Sequence, residues 1–210
     1  MRVRVKICGL RREEDVEAAV EAGADAVGLV VGFPASPRNL TPREASSLRR
    51  SVPPFVSAVL VTGAETKEGL ESLVEEVDPD AIQIYGPLTA EEVREAAPSA
   101  WLIKPIPAGA QPVSAELEGF DAVLLDSPIA SGRLPGGSGV AHDWGAARRF
   151  REMVGKPLIL AGGLSHRNVG EAIRVVRPFG VDVSSGVEVG PGVKSRELIR
   201  AFIRAAIGEG

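Results

Sequence analysis

Eight short apolar runs, many of them rich in β-branched residues, recur along the chain, and nearly every one is followed by a longer segment of helical period. A run that is apolar on both alternating faces must be covered on both faces, as strands of a parallel sheet are when helices pack over them. The candidate strands are Val3–Ile7, Ala26–Val31, Val56–Val61, Ala81–Ile84, Ala100–Ile103, Ala122–Leu125, Pro157–Ala161 and Val181–Val183. The candidate helices are Glu13–Ala22, Pro42–Arg50, Thr66–Glu76, Ala90–Ala97, Trp144–Met153, His166–Val176 and Arg196–Ile207, several with Ser, Thr or Asp near the start to cap free amides. Only after the fifth strand does the rhythm lapse. Pro105–Glu118 is rich in Pro, Gly and Ala with little period, which predicts a loop or a single turn.

Eight alternating units in 210 residues leave an open doubly wound sheet or a closed barrel, and the count favours a single (β/α)8 TIM barrel spanning residues 1–210, with the helix after strand 5 short or missing. No glycine-rich turn is followed at the right distance by an acidic residue closing a second strand, so a nicotinamide or flavin site is not expected. A net charge of −4, with scattered basic residues, gives no nucleic-acid footprint. No apolar run approaches the roughly 18 residues of a spanning helix, and the opening Met1-Arg2-Val3-Arg4-Val5-Lys6 leads us to expect no cleavable leader. The expectation is a cytoplasmic protein without membrane partners. The one cysteine, Cys8, rules out an intrachain disulfide, and with two histidines, His142 and His166, no metal cluster and no cofactor is implied.

In a barrel of this kind the chemistry sits at the carboxyl ends of the strands, with phosphate commonly beside the loops after strands seven and eight. Those loops here are Gly162-Gly163-Leu164-Ser165 and Ser184-Ser185-Gly186-Val187, glycine-rich with hydroxyls, suited to close approach of backbone amides to a phosphate. On strand one, alternation puts Lys6 and Cys8 on one face and Ile7 on the other. A thiolate at the mouth can take a carbon-bound proton if a nearby positive charge lowers its pKa; the alternative is an inert buried thiol. Lys6, one layer deeper, needs a partner, and Asp182 on the neighbouring strand can form a structural ion pair with it. Asp126 ends an apolar strand where packing does not require a carboxyl, so it is either a general acid with a pKa raised by burial or a cap of the next segment. Arg38, on a proline-stiffened loop after strand two, suits a planar carboxylate. Spacing thus leads to a cofactor-free barrel acting on a phosphorylated anion; it does not identify the substrate.

The ordered set Lys6-Ile7-Cys8-Gly9-Leu10, Ser36-Pro37-Arg38, Leu124-Leu125-Asp126-Ser127, Gly136-Gly137-Ser138-Gly139 with His142-Asp143-Trp144, Leu160-Ala161-Gly162-Gly163-Leu164 and Val181-Asp182-Val183-Ser184-Ser185-Gly186-Val187-Glu188 resembles the phosphoribosylanthranilate isomerase family along nearly the whole chain. The resemblance implies an Amadori rearrangement of N-(5-phosphoribosyl)anthranilate to the carboxyphenylamino-deoxyribulose phosphate, a step of tryptophan biosynthesis. It further implies Asp126 as general acid, Cys8 as general base and Arg38 as the contact to the anthranilate part. Gly162, Gly163, Ser185 and Gly186 would hold phosphate, and the loop Gly136, Gly137, Ser138 and Gly139 would cover the substrate. The partner is the small-molecule substrate, and the chain is expected to be a monomer or homodimer. Tyr85 stands where the family usually has His, Pro105 where a small residue is common, and His142 where Phe is common.

Two competing readings remain at this level. One is another sugar-phosphate isomerase on the same barrel, against which Cys8 at the end of strand one and the lack of metal-binding histidines both argue. The other is a ligand-binding barrel without turnover, against which the joint presence of Cys8 and Asp126 argues.

Overall fold

The computed structural model describes residues 2–111, 114–127 and 143–208. Its elements run β1 (Arg4–Cys8), α1 (Glu13–Ala22), β2 (Ala26–Val31), β3 (Asn39–Leu40), α2 (Pro42–Arg50), β4 (Ser57–Thr62), α3 (Lys67–Val77), β5 (Ala81–Ile84), α4 (Ala90–Ala96), β6 (Trp101–Pro107), α5 (Ser114–Leu117), β7 (Ala122–Asp126), α6 (Trp144–Val154), β8 (Leu158–Leu160), α7 (Val169–Val176), β9 (Gly180–Val183), β10 (Glu188–Gly190), β11 (Val193–Lys194) and α8 (Arg196–Ile207). Eight strands pair in parallel in the order β1-β9-β8-β7-β6-β5-β4-β2, and a further pairing of β1 with β2 closes them into a barrel. The two-residue β3 hangs on β2, and β10 and β11 form a separate antiparallel hairpin. Among the described residues no helix is long and apolar enough to cross a membrane.

Side-chain alternation sorts the strands into two packing regions. Val5, Ile7, Leu60, Ile82, Leu102 and Leu125 face outward against the helices, and fully burying one such side chain contributes roughly 2 kcal/mol. Cys8, Val30, Val61, Ile103, Leu124 and Ala161 face the barrel interior. Cys8 and Ile7 thus lie on opposite faces, as alternation predicts. Local chemistry starts several helices: Thr41 with Glu44 and Thr89 with Glu92 form capping boxes on α2 and α4, and Asp143 and Ser195 cap α6 and α8.

Two sequence expectations are corrected. The fifth barrel strand, β6, continues through Pro105 to Pro107 instead of ending at Ile103. Leu102 and Ala108 bond across to β7, through Asp121 N to Leu102 O and Ala108 N to Asp126 O, whereas Trp101 bonds to the Asp80 carbonyl ahead of β5. Alternation therefore turns Pro105 and Pro107 toward the β5 side, where pairing has already ended at Gln83 with Ile103. Their missing N–H groups cost no ladder bond. The four-residue α5 then matches the expected single turn.

The second correction concerns α7, which begins at Val169 and not at His166. The Asn168 side chain accepts from the Ser165 amide at 2.8 Å and donates to the Gly163 carbonyl at 2.9 Å. It holds 165–168 as a turn that supports the glycine loop before the helix starts.

Candidate active site

Cys8 ends β1, Asp126 ends β7, Gly162 and Gly163 follow β8, and Ser184 to Gly186 follow β9, so all reach the carboxyl-end mouth of the barrel. A cleft there is lined by Cys8, Phe33, Arg38, Tyr85, Asp126 and Asp182, among others. A second recess is bounded by Asp126, Gly162, Gly163, Ser184, Ser185 and Gly186, with Asp126, Asp182 and Ser184 shared by both. The predicted acid, base, arginine and glycine loops therefore meet at one mouth. The expected covering residues Gly136, Gly137, Ser138 and Gly139 lie outside the described residues, as does His142.

Asp126 Oδ1 accepts from the Ser127 amide at 2.7 Å. Burial lifts its pKa to about 6; the Ser127 bond opposes the shift, and the Asp182 charge adds to it. This is the direction anticipated for a group that must hold a proton near neutrality.

Cys8 has the nearby positive charge that a base needs, together with the burial of the inert-thiol alternative. Burial of the thiol outweighs the nearby Lys6 and Lys194 charges, and its pKa is raised, not lowered. The cations are present, but in the free protein they only moderate the cost of ionising a buried sulfur.

Lys6 and Asp182 pair at 3.0 Å as anticipated, both nearly inaccessible, and Lys6 also donates to Gln83 Oε1 at 3.0 Å. Burial alone would lower the Lys6 pKa; Asp182, with help from Cys8, raises it overall. Gln83 in turn donates to the Tyr85 hydroxyl at 3.0 Å, and Tyr85 meets the Phe33 ring edge-on at 5.9 Å between centroids. Burial, with the Asp126 charge nearby, pushes the Tyr85 phenol well above its usual value, so it stays neutral and polar at the mouth.

The glycine loops present free donors. The amides of Gly162 and Gly163 find no acceptor among the described residues. Gly162 has φ +82°, and a Cβ there would lie 2.3 Å from Ser127 Oγ, so only glycine fits. Among the described residues, no group of three or more His, Cys, Asp or Glu is placed to hold a metal ion.

Sequence reasoning missed the β10–β11 hairpin and its charges. Arg38 is not an unpartnered clamp; its guanidinium forks onto Glu188, which also pairs with Lys194 at 2.7 Å. The available signal was Gly190-Pro191-Gly192 between two short alternating runs, a hairpin pattern that places Glu188 opposite Lys194.

The chain matches a family model described as N-(5'-phosphoribosyl)anthranilate (PRA) isomerase over residues 5–205. An N-(5'-phosphoribosyl)anthranilate isomerase of Halobacterium salinarum is 44% identical over 207 residues, covering 97% of this chain and 95% of its own. The crystal structure of the phosphoribosyl anthranilate isomerase from Thermus thermophilus is similar at a TM-score of 0.83 and 33% identity, with 97% of this chain and 98% of that one covered. Another phosphoribosyl anthranilate isomerase, solved in complex with reduced 1-(o-carboxyphenylamino)-1-deoxyribulose 5-phosphate, is similar at a TM-score of 0.80 and 37% identity, with 98% and 99% covered. The barrel, the mouth and these likenesses agree: the chain belongs to the N-(5'-phosphoribosyl)anthranilate isomerase family and is an isomerase of tryptophan biosynthesis.

Proposed function

We propose that the chain converts N-(5'-phosphoribosyl)anthranilate into 1-(o-carboxyphenylamino)-1-deoxyribulose 5-phosphate, with Asp126 as general acid and Cys8 as general base. The observation that carries this reading is the convergence of Cys8, Asp126 and Arg38 on one cleft continuous with the Gly162 and Ser185 loops. Protonated Asp126 gives its proton to the furanose ring oxygen as the bond from that oxygen to the anomeric carbon breaks. The anilino nitrogen supplies the electron pair, leaving a protonated Schiff base. That cation acidifies the adjacent C–H, and the Cys8 thiolate removes the proton to form an enolamine. The enolamine gains a proton at the former anomeric carbon and loses the one on its hydroxyl, giving the ketone. Nothing is oxidised or reduced overall, so no external acceptor is required.

Substrate arrival supplies what the free site lacks. A cationic Schiff base beside a thiol favours its ionised form, and a pKa near 6 leaves a useful protonated fraction of Asp126 near neutrality. In this reading the amides at Gly162, Gly163, Ser185 and Gly186 hold the phosphate, and Arg38 meets the anthranilate carboxylate. The proposal also places the enzyme in the cytoplasm.

The test is turnover of substrate generated in place from anthranilate and phosphoribosyl pyrophosphate, followed by its fluorescence, with chelator-treated protein and the variants Cys8→Ala and Asp126→Asn. Turnover that collapses in both folded variants supports the reading. No turnover by folded wild-type protein would overturn it, and full activity in either variant would remove that residue's role.

A further inference from the structure

Arg38 Nε donates to Glu188 Oε1 at 2.8 Å and Nη2 to Glu188 Oε2 at 2.7 Å. This side-on fork uses one edge of a guanidinium that carries five N–H donors. The end-on edge, Nη1 with the second Nη2 hydrogen, has no acceptor among the described residues, and Arg38 lines the cleft. A second carboxylate can therefore dock on that edge in two-pronged geometry without displacing the first.

Glu188 is itself fixed from behind. Oε1 also accepts from Lys194 Nζ at 2.7 Å, and Oε2 accepts from the Gly192 amide at 3.3 Å. Lys194 has no exposed side-chain surface and further donates to the Ser184 carbonyl at 2.9 Å. Swinging Glu188 away would strand a buried ammonium, so the carboxylate is a fixed post and not a mobile competitor for Arg38. The hairpin abuts the loop that carries the arginine: a Cβ on Gly192 would lie 2.5 Å from the Pro37 carbonyl oxygen. Two cations around one carboxylate leave a net positive charge beside the cleft, in a chain whose overall charge is −4.

We propose that Glu188 is the positioning residue for Arg38, setting the guanidinium so that its free end-on edge meets the carboxylate of the aromatic part of the substrate. The proposal rests on the reading of Arg38 as the carboxylate contact. A lone arginine would lose considerable rotamer freedom on binding; one already held by Glu188 loses little. Burial alone would lift the Glu188 pKa, but the Arg38 bond and the Lys194 charge hold it below the usual range, so the post stays ionised at neutral pH.

The test is steady-state kinetics of Glu188→Asp and Glu188→Gln, each alone and combined with Arg38→Ala, with far-UV circular dichroism to confirm folding. Glu188→Asp keeps the charge that neutralises Lys194 but withdraws the carboxylate by one methylene, and it carries the test even if Glu188→Gln does not fold. The expected result is a KM raised about tenfold with kcat changed less than about threefold, the signature of lost substrate positioning. On the Arg38→Ala background the same change should move KM by less than about twofold, because the two residues act as one unit. An unchanged KM in folded Glu188→Asp overturns the proposal, and so does an equal rise with Arg38 absent. If Arg38→Ala itself leaves KM unchanged, the carboxylate contact falls, and the positioning role falls with it.

Discussion

The thiol of Cys8 occupies the space that a side chain on Gly28 would fill: a Cβ built there lies 2.7 Å from Sγ and 3.1 Å from the Cys8 Cα. The two residues are register partners on β1 and β2. Gly28→Ala should therefore push the sulfur from its place without altering any proposed catalytic group. The expected outcome is a kcat loss of about 10- to 100-fold, since displacement of a reacting group by about 1 Å costs on that order. Overpacking should also destabilise the fold by about 1 to 3 kcal/mol. Kinetics together with denaturant unfolding check both, and unchanged kcat in a folded variant would show that the thiol position does not matter.

Asp126 makes stability depend on pH in a direction opposite to that of an ordinary paired carboxylate. Its reference value is 3.8 and its folded value about 6, so the folded state holds the proton more tightly. The stability tied to the protonated carboxyl is fully present below the unfolded value and is lost as pH rises through the folded one. The full cost of ionising the buried group is at most about 3 kcal/mol. Asp126→Asn preserves an oxygen for the Ser127 amide and carries no charge. It should match wild type near about pH 4 and exceed it in stability by up to about 3 kcal/mol near about pH 7.5, while losing activity. Urea unfolding at the two pH values checks this, and an equal difference at both would disprove the linkage.

Gly162 allows the loop after β8 to pass against the end of β7. Its φ of +82° disfavours any side chain, and a Cβ would also lie 2.5 Å from the Ser127 amide nitrogen and 3.1 Å from Asp126 Oδ1. Gly162→Ala should shift the amides proposed to hold phosphate and disturb Asp126 as well. Inhibition by inorganic phosphate is expected to weaken about tenfold, together with a fall in kcat. A phosphate inhibition constant that stays the same would remove this loop from the phosphate site.

Legibility in the sequence followed the physical range of the interaction. Cys8, Asp126 and the two glycine loops were readable because strand alternation and the carboxyl-end rule fix where a strand's last inward residue points. The Lys6–Asp182 pair was readable for the same reason, since both lie on adjacent strands one layer down. The extension of β6 through two prolines was hidden, because local propensity opposes it and only the early end of β5 permits it. The Glu188 hold on Arg38 spans 150 residues of chain, and no local pattern announces a partner at that distance. Which of the two readings of the Cys8 thiol burial would favour was not legible, because burial depth, the largest contribution to its pKa, is a tertiary quantity.

Lys6 provides the most direct test of how the thiol is governed. It is paired with Asp182 at 3.0 Å, with the two side chains only 5% and 9% exposed. Lys6→Met keeps most of the stem volume but leaves Asp182 buried without its cation, an expected loss of about 3 to 5 kcal/mol. Adding Asp182→Asn should recover part of that loss, because the stranded charge is gone. The thiol should respond in the same sense: Lys6 lowers the Cys8 pKa and Asp182 raises it, against the larger upward effect of burial. Wild-type Cys8 should therefore ionise above the ordinary thiol range, Lys6→Met higher still, and the double variant between the single variant and wild type. Cys8 is the only cysteine in the chain, so ultraviolet thiolate absorbance followed against pH reports it once the Tyr85 phenolate signal is subtracted with the same titration of Cys8→Ala. A titration indifferent to Lys6→Met would mean that the buried ammonium does not reach the sulfur, leaving activation of the proposed base to the bound substrate.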